Sequence, residues 1–149
     1  MEHTERNLSD GLAHITGEIT KADTKSGQIL TLDGLLVAAL SLMGKSGSAA
    51  ALIAEAVGVL ALTVSVLLAL LVIRPRLRAP GGNHDRASFI YWATATQEEI
   101  KEGMREDRRL ARVQVLSRIT VRKMLIQRLA GDAAFVATVA IAVAALLSH

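Results

Sequence analysis

Residues 49–73 read AAALIAEAVGVLALTVSVLLALLVI and carry a single charge, on Glu55. An α-helix rises about 1.5 Å per residue, so a helix of this length exceeds the roughly 30 Å hydrocarbon core of a bilayer. The run ends at Arg74, where RPRLR places a proline and three arginines at the level expected for lipid phosphates. The sequence therefore predicts a transmembrane helix over residues 49–73.

Two shorter apolar runs accompany this helix. Residues 29–43 contain Asp33 and are long enough to cross a bilayer only if their helix begins near Thr24. Residues 133–147 are rich in alanine and reach the length of a span when the helix is extended back to Leu129. We therefore expect three transmembrane helices.

The composition favours lipid over water as the surroundings of these helices. Hydrophobic residues are 51% of the chain, yet aromatic residues, which usually contribute much of the buried area of a soluble core, are only 3%. A soluble helical bundle is the alternative interpretation, but few residues remain to surround a 25-residue apolar helix on all sides. The predicted fold class is an all-α, multi-pass membrane protein.

Basic residues predict the orientation. Of the 17 lysines and arginines, 13 lie between Arg74 and Arg128, and only Lys45 lies in the GKSGS link between the first two runs. Because basic segments stay in the cytoplasm, we expect the N-terminus to be cytoplasmic and the link to be outside. The predicted organisation is an N-terminal cytoplasmic helix (1–23), a first span (24–43), a second span (49–73), a cytoplasmic segment (74–131) and a third span (129–147).

The cytoplasmic segment contains an aromatic element and a basic helix. SFIYWAT, residues 88–94, is interpreted either as an anchor at the lipid headgroups or as a platform on which Trp92 stacks a planar base. Thr96 and Glu99 form a capping-box pattern, which predicts a helix that begins there and continues into the third span. Both interpretations of the aromatic element remain open.

Four basic side chains of this helix have two possible roles. Arg108, Arg109, Arg118 and Lys123 either form a solvated face that pairs with nearby acids and lipid, or bind an anion such as a phosphate. A net charge of +3 without a known binding motif gives no support for nucleic acid as a partner.

The sequence has no pattern typical of an enzyme. It has no Gly-rich phosphate loop, no HExxH and no GxSxG motif, and it has no cysteine. The four histidines are scattered, so we expect neither catalytic residues nor a metal. Asp33 and Glu55 are acidic residues within the first two predicted spans, and an acid in that position is a functional candidate.

Four elements, taken in order, resemble a known family. They are ADTKSGQILTLDG (22–34), RPR (74–76), SFIYW (88–92) and EDRRLARVQVLSRITVRK (106–123). This set, which covers about residues 7–147, is similar to the small transmembrane effectors of Pycsar, a bacterial antiphage system. The resemblance implies that a partner pyrimidine cyclase makes cyclic CMP or cyclic UMP during infection. The effector then impairs the inner membrane, so that the infected cell dies or stops growing.

The chain lacks the appended β-barrel domain that binds nucleotides, so the resemblance implies that the helices themselves sense the ligand. We expect the pocket where the first helix meets the basic helix, between subunits. Its predicted residues are Asp23, Lys25, Trp92, Arg108, Arg109, Arg118 and Lys123. Small residues recur every four positions at Ala50, Ala54 and Gly58, which predicts a homo-oligomer. Two alternative functions remain. The chain is either a ligand-independent, holin-like or scaffold membrane protein, or a small ion-channel subunit.

Overall fold

The computed structural model describes residues 2–43, 48–74, 89–103, 105 and 107–148. These residues form helices and their connections: α1 (Glu2–Leu42), α2 (Ala49–Ile73), α3 (Phe89–Trp92), α4 (Gln97–Gly103) and α5 (Arg109–Leu147). The predicted all-α class is therefore confirmed for this part of the chain. Most of the predicted link at 44–48, and residues 75–88 with part of the RPR and SFIYW elements, lie outside the described residues.

The chain divides into two compact units. Unit 1 consists of Met1–Glu18 and Pro75–Val121, and unit 2 consists of Ile19–Arg74 and Arg122–His149. Helices α1 and α5 each contribute residues to both units. Unit 2 contains all three apolar runs of the sequence.

In unit 2, each of the three helices buries one face, and on α2 and α5 that face is made mostly of small residues. The buried residues of α5 recur at spacings of three and four, and are Ala130, Ala134, Ala137, Ile141 and Ala144. Leu36 of α1 and Leu62 of α2 join Ala137 and Ile141 in one hydrophobic cluster. The spacing places each set on a single side of its helix, so the three helices pack along narrow faces.

The outward faces of unit 2 carry larger apolar side chains. Leu42, Leu60 and Phe135 are 88%, 68% and 70% exposed. Small residues between helices and large apolar residues outside are the arrangement that lipid permits, because lipid tails are as apolar as leucine. In water the same surface would be an extended hydrophobic patch.

Two helices of the described residues, α2 and α5, are long and apolar enough to cross a membrane. The predicted first span, residues 24–43, lies within α1 and is not one of these two helices. Lys25 and Asp33 lower the apolar character of that segment. The count of three spans therefore stays a prediction.

Gly58 allows a close approach between α2 and α5. A Cβ atom at this position would lie 2.9 Å from Cγ1 of Ile141 and 3.5 Å from Cβ of Ala140. Carbon atoms in contact are normally separated by about 3.5–4.0 Å, so a side chain at Gly58 does not fit without movement.

The helix predicted to begin at Thr96 and continue into the third span is divided in the structure. Its beginning is confirmed, because Glu99 accepts the backbone N–H of Thr96 at 2.8 Å and α4 follows. However, α4 ends at Gly103 and α5 begins only at Arg109. Asp107 accepts the backbone N–H of Arg109 at 3.1 Å, which satisfies a free donor at the start of a new helix. The prediction of one continuous helix was therefore wrong.

Candidate functional site

An ion pair joins α1 and α5 within unit 2. The Lys123 amine donates to Oδ1 of Asp23, with an N–O distance of 2.6 Å. The Lys123 side chain is only 16% exposed, whereas the Asp23 side chain is 40% exposed. The lysine side chain is therefore largely buried, whereas the aspartate side chain is partly accessible to solvent.

A buried hydroxyl lies one turn from this pair on α1. Ser26 follows Asp23 by three residues, a spacing that makes the two side chains neighbours on the helix surface. Ser26 is fully buried, and its hydroxyl is the buried side-chain polar atom that has no hydrogen-bond partner within the described part of the chain. Other hydroxyls of α1, such as those of Thr24 and Thr31, donate to the carbonyl four residues earlier. Ser26 is therefore a buried donor without a partner among the described residues at this end of unit 2.

A second polar pair joins α1 and α2 deeper in unit 2. The Ser65 hydroxyl lies 2.8 Å from Oδ2 and 3.1 Å from Oδ1 of Asp33. Asp33 is 1% exposed and Ser65 is fully buried. Asp33 follows Asp23 by ten residues, which corresponds to about 15 Å along the helix. The two polar contacts are thus separate sites on one helix.

In unit 1, Arg109 is occupied by contacts within the protein. Its guanidinium pairs with both carboxylate oxygens of Asp107, at 3.0 and 2.8 Å. It also donates to the backbone carbonyl of Glu5 and to the Ser9 hydroxyl, both at 3.3 Å. The side-chain and backbone hydrogen bonds from Arg109 lower the pKa of Asp107 from 3.8 to about 2, and the same pair raises the pKa of Arg109. This arrangement fastens the start of α5 to the first turns of α1.

The structure brings together some of the predicted ligand residues and separates others. Asp23 and Lys123 are in direct contact. Lys25, which is exposed, follows Asp23 by two residues and does not share its face of α1. Arg118, also exposed, follows Arg109 by nine residues, which places these two side chains on opposite faces of α5.

The other predicted residues have less specific positions. Trp92 and Arg108 are half-buried in unit 1, and each interacts with other groups. Glu55 is half-buried on α2. The interpretations of Trp92 as a membrane anchor or as a stacking platform remain open.

Sequence reasoning missed Ser26, Ser65 and Asp107. The positions of Ser26 and Ser65 on helix faces offered only a weak signal, because serine in an apolar helix usually bonds its own backbone. Asp107 offered a stronger sequence signal, since aspartate is favoured at the start of a helix.

The arrangement at the Asp23–Lys123 pair suits anion binding. A fixed ammonium group and a hydroxyl without a partner are both hydrogen-bond donors, and a phosphate oxygen accepts from both. Within the described residues no group of three or more metal-ligating side chains occurs.

Comparison with known families decides the classification. The family that matches the chain is described as the Pycsar effector protein domain, PycTM, and the match covers residues 7–148. The chain belongs to the PycTM family. The resemblance predicted from the four sequence elements is therefore confirmed. Comparisons with curated proteins and with solved structures give no match.

Membership of the PycTM family agrees with the surface of unit 2. The match includes α2, α5 and nearly all of α1. Two helices that are long and apolar enough to cross a membrane, together with a Pycsar effector domain, indicate a membrane protein.

Proposed function

We propose that this chain is the membrane effector of a Pycsar-like antiphage system. A cyclic pyrimidine nucleotide, cyclic CMP or cyclic UMP, activates it to impair the bacterial inner membrane, and the infected cell stops growing. The observation that carries this proposal is the match to the Pycsar effector domain over residues 7–148. The nucleotide comes from a pyrimidine cyclase made by the same cell.

The lipid-facing surface of unit 2 supports the membrane part of the proposal. Three apolar segments, 24–43, 49–73 and 129–147, cross the bilayer with the N-terminus in the cytoplasm. The basic segment, residues 74–131, then lies on the same side as the cyclase and its product, in agreement with the positive-inside rule. The chain acts as an effector and not as a catalyst.

The ion pair of Asp23 and Lys123 supports the ligand part. This pair lies at the end of unit 2 that the proposed topology places in the cytoplasm. Lys123 is the cation that receives the phosphate of the nucleotide, since a lysine amine is a compact donor that binds phosphate as a point charge. Self-association of several copies then provides enough helices to open or distort the bilayer.

Purified protein in liposomes tests the proposal. Dye release is measured after addition of cyclic CMP, cyclic UMP or, as the control, cyclic AMP, and calorimetry on detergent-solubilised protein measures binding. We expect binding and release with a pyrimidine nucleotide and neither with cyclic AMP. Lys123→Met should abolish both, whereas the matched variant Arg122→Met, which changes an exposed cation on the adjacent residue, should retain them.

Two other outcomes would support different functions. Dye release that is equal with and without nucleotide indicates a ligand-independent, holin-like protein. The buried pair of Asp33 and Ser65 is the observation that favours an ion-channel subunit. Ion flux without nucleotide that disappears in Asp33→Asn would establish that alternative.

A further inference from the structure

We propose that Asp23 occupies the place of the ligand phosphate on Lys123, and that the nucleotide binds by displacing Asp23 and accepting a hydrogen bond from Ser26. The inference rests on the proposed function, since it concerns how the same ligand enters its site. It adds Ser26 as a ligand-binding residue and assigns Asp23 the role of a competitor.

The difference in exposure between the two partners decides which one leaves. Lys123 is 16% exposed, so its stem is packed against other side chains and its amine has little freedom to move away. Asp23 is 40% exposed, so its carboxylate can regain hydration when the contact breaks. The cation is therefore the fixed partner, and the carboxylate is the exchangeable one.

The Asp23 carboxylate and the ligand phosphate are similar in charge and in shape, so one can replace the other as the partner of Lys123. A carboxylate and the phosphate of a cyclic nucleotide each carry one negative charge and present two oxygen atoms that accept hydrogen bonds. Lys123 now donates to one oxygen of Asp23 at 2.6 Å. After displacement it donates to one phosphate oxygen, while Asp23 keeps its charge on α1 and turns toward solvent, so the bound nucleotide adds one negative charge to this end of unit 2.

The Ser26 hydroxyl gives the phosphate an advantage over the carboxylate. Ser26 is fully buried and has no partner within the described residues, so its donor is left unsatisfied while Asp23 holds Lys123. A buried polar group without a hydrogen bond raises the free energy of the state that contains it. A ligand that accepts from Ser26 as well as from Lys123 removes that penalty.

The exchange also supplies a means of regulation. The ion pair joins α1 to α5, and its hydrogen bond is a polar contact between these helices at this end of unit 2. Displacement of Asp23 replaces a contact between helices with contacts to the ligand. Helix α1 is then released from α5 at that point.

Binding of cyclic CMP and cyclic UMP to three variants tests the proposal. We expect Asp23→Asn to bind the active nucleotide about five- to tenfold more tightly, because the charged competitor is gone. Ser26→Ala should bind roughly five- to tenfold more weakly, the loss of one hydrogen bond to a charged group. The matched controls are Ser41→Ala, which removes an exposed serine hydroxyl of α1, and Asp132→Asn, which removes an exposed carboxylate of α5. Both should leave affinity unchanged.

The outcomes separate this inference from the proposed function. Absence of nucleotide binding by the wild-type protein overturns both. Wild-type binding that is weakened or unaltered in Asp23→Asn, or unaltered in Ser26→Ala, overturns only the displacement. Helix content and thermal unfolding are measured for each variant, and Asp23→Ser provides a second way to remove the carboxylate if the asparagine variant is poorly folded.

Discussion

A methyl group added at Gly58 is predicted to crowd the contact between α2 and α5. In Gly58→Ala the new Cβ lies 2.9 Å from Cγ1 of Ile141 and 3.4 Å from the Ile141 backbone nitrogen. Ile141 is 5% exposed, so its side chain has no solvent to enter, and its backbone belongs to α5. Overpacking of this kind costs about 1–3 kcal/mol.

The helix propensity of alanine opposes this cost. Replacing glycine by alanine inside a helix gains about 1 kcal/mol. The net expectation for Gly58→Ala is therefore a loss of about 0–2 kcal/mol in the free energy of unfolding. Gly131→Ala is the matched control, because nothing lies within 4 Å of a Cβ at Gly131 of α5. The propensity gain is common to both variants, so their difference isolates the packing cost of about 1–3 kcal/mol.

Reversible unfolding in mixed detergent micelles, followed by circular dichroism, measures these energies. Two further variants, Ile141→Ala and Gly58→Ala with Ile141→Ala, complete a double-mutant cycle in which the atom that the methyl group meets is removed. We expect a favourable coupling of about 1–3 kcal/mol between the two changes. If Gly58→Ala is as stabilising as Gly131→Ala, the close approach of α2 and α5 at Gly58 is refuted.

Three further predictions concern polar contacts. Ser65→Ala should lower the free energy of unfolding by about 1–3 kcal/mol, because buried Asp33 loses its hydrogen bonds of 2.8 and 3.1 Å from the Ser65 hydroxyl. An unchanged unfolding midpoint would contradict this prediction. The pKa of Asp107 is lowered from 3.8 to about 2, so the charged carboxylate stabilises the first turn of α5 fully at pH values above 3.8. This stabilisation is lost as the pH falls toward 2. Amide exchange at the start of α5 should show this loss, and Asp107→Asn should abolish the pH dependence. Thr96→Ala should destabilise α4 by about 1 kcal/mol, because the Thr96 hydroxyl no longer accepts the backbone N–H of Glu99 or donates to its carboxylate. Amide exchange in α4 should become faster, and exchange equal to the wild type would exclude a role for the cap.

Helices were predictable where composition or a cap marks them. The apolar run corresponds to α2, Ala49–Ile73, although Ser48 before it makes no side-chain capping hydrogen bond, so composition alone marks this helix. The change from polar to apolar residues near 23–24 does not interrupt α1, since helix propensity is the same on both sides. The break before Arg109 was missed, because a count of apolar spacings gives no weight to a side chain that binds the backbone.

The contacts of the candidate site could not be predicted from the sequence. Asp23 and Lys123 were both predicted ligand residues, but their pairing over 100 residues depends on how α1 and α5 are rotated. Uniformly apolar helices such as α2 contain no periodic signal that sets this rotation. For the same reason the sequence could not distinguish Ser65, which meets Asp33, from Thr63, which bonds its own backbone.

The alanine-rich interior of unit 2 has a mechanical consequence. Alanine and glycine side chains project little from a helix surface. Faces made of them therefore interlock less than the leucine-rich faces that fix the axial position of one helix against another. Shape alone therefore resists sliding of α1 within unit 2 only weakly, and the hydrogen-bonded pairs at Asp23 and Asp33 help to hold its position there. We expect a bundle of this kind to change its helix register after the loss of one polar contact, without first separating its helices.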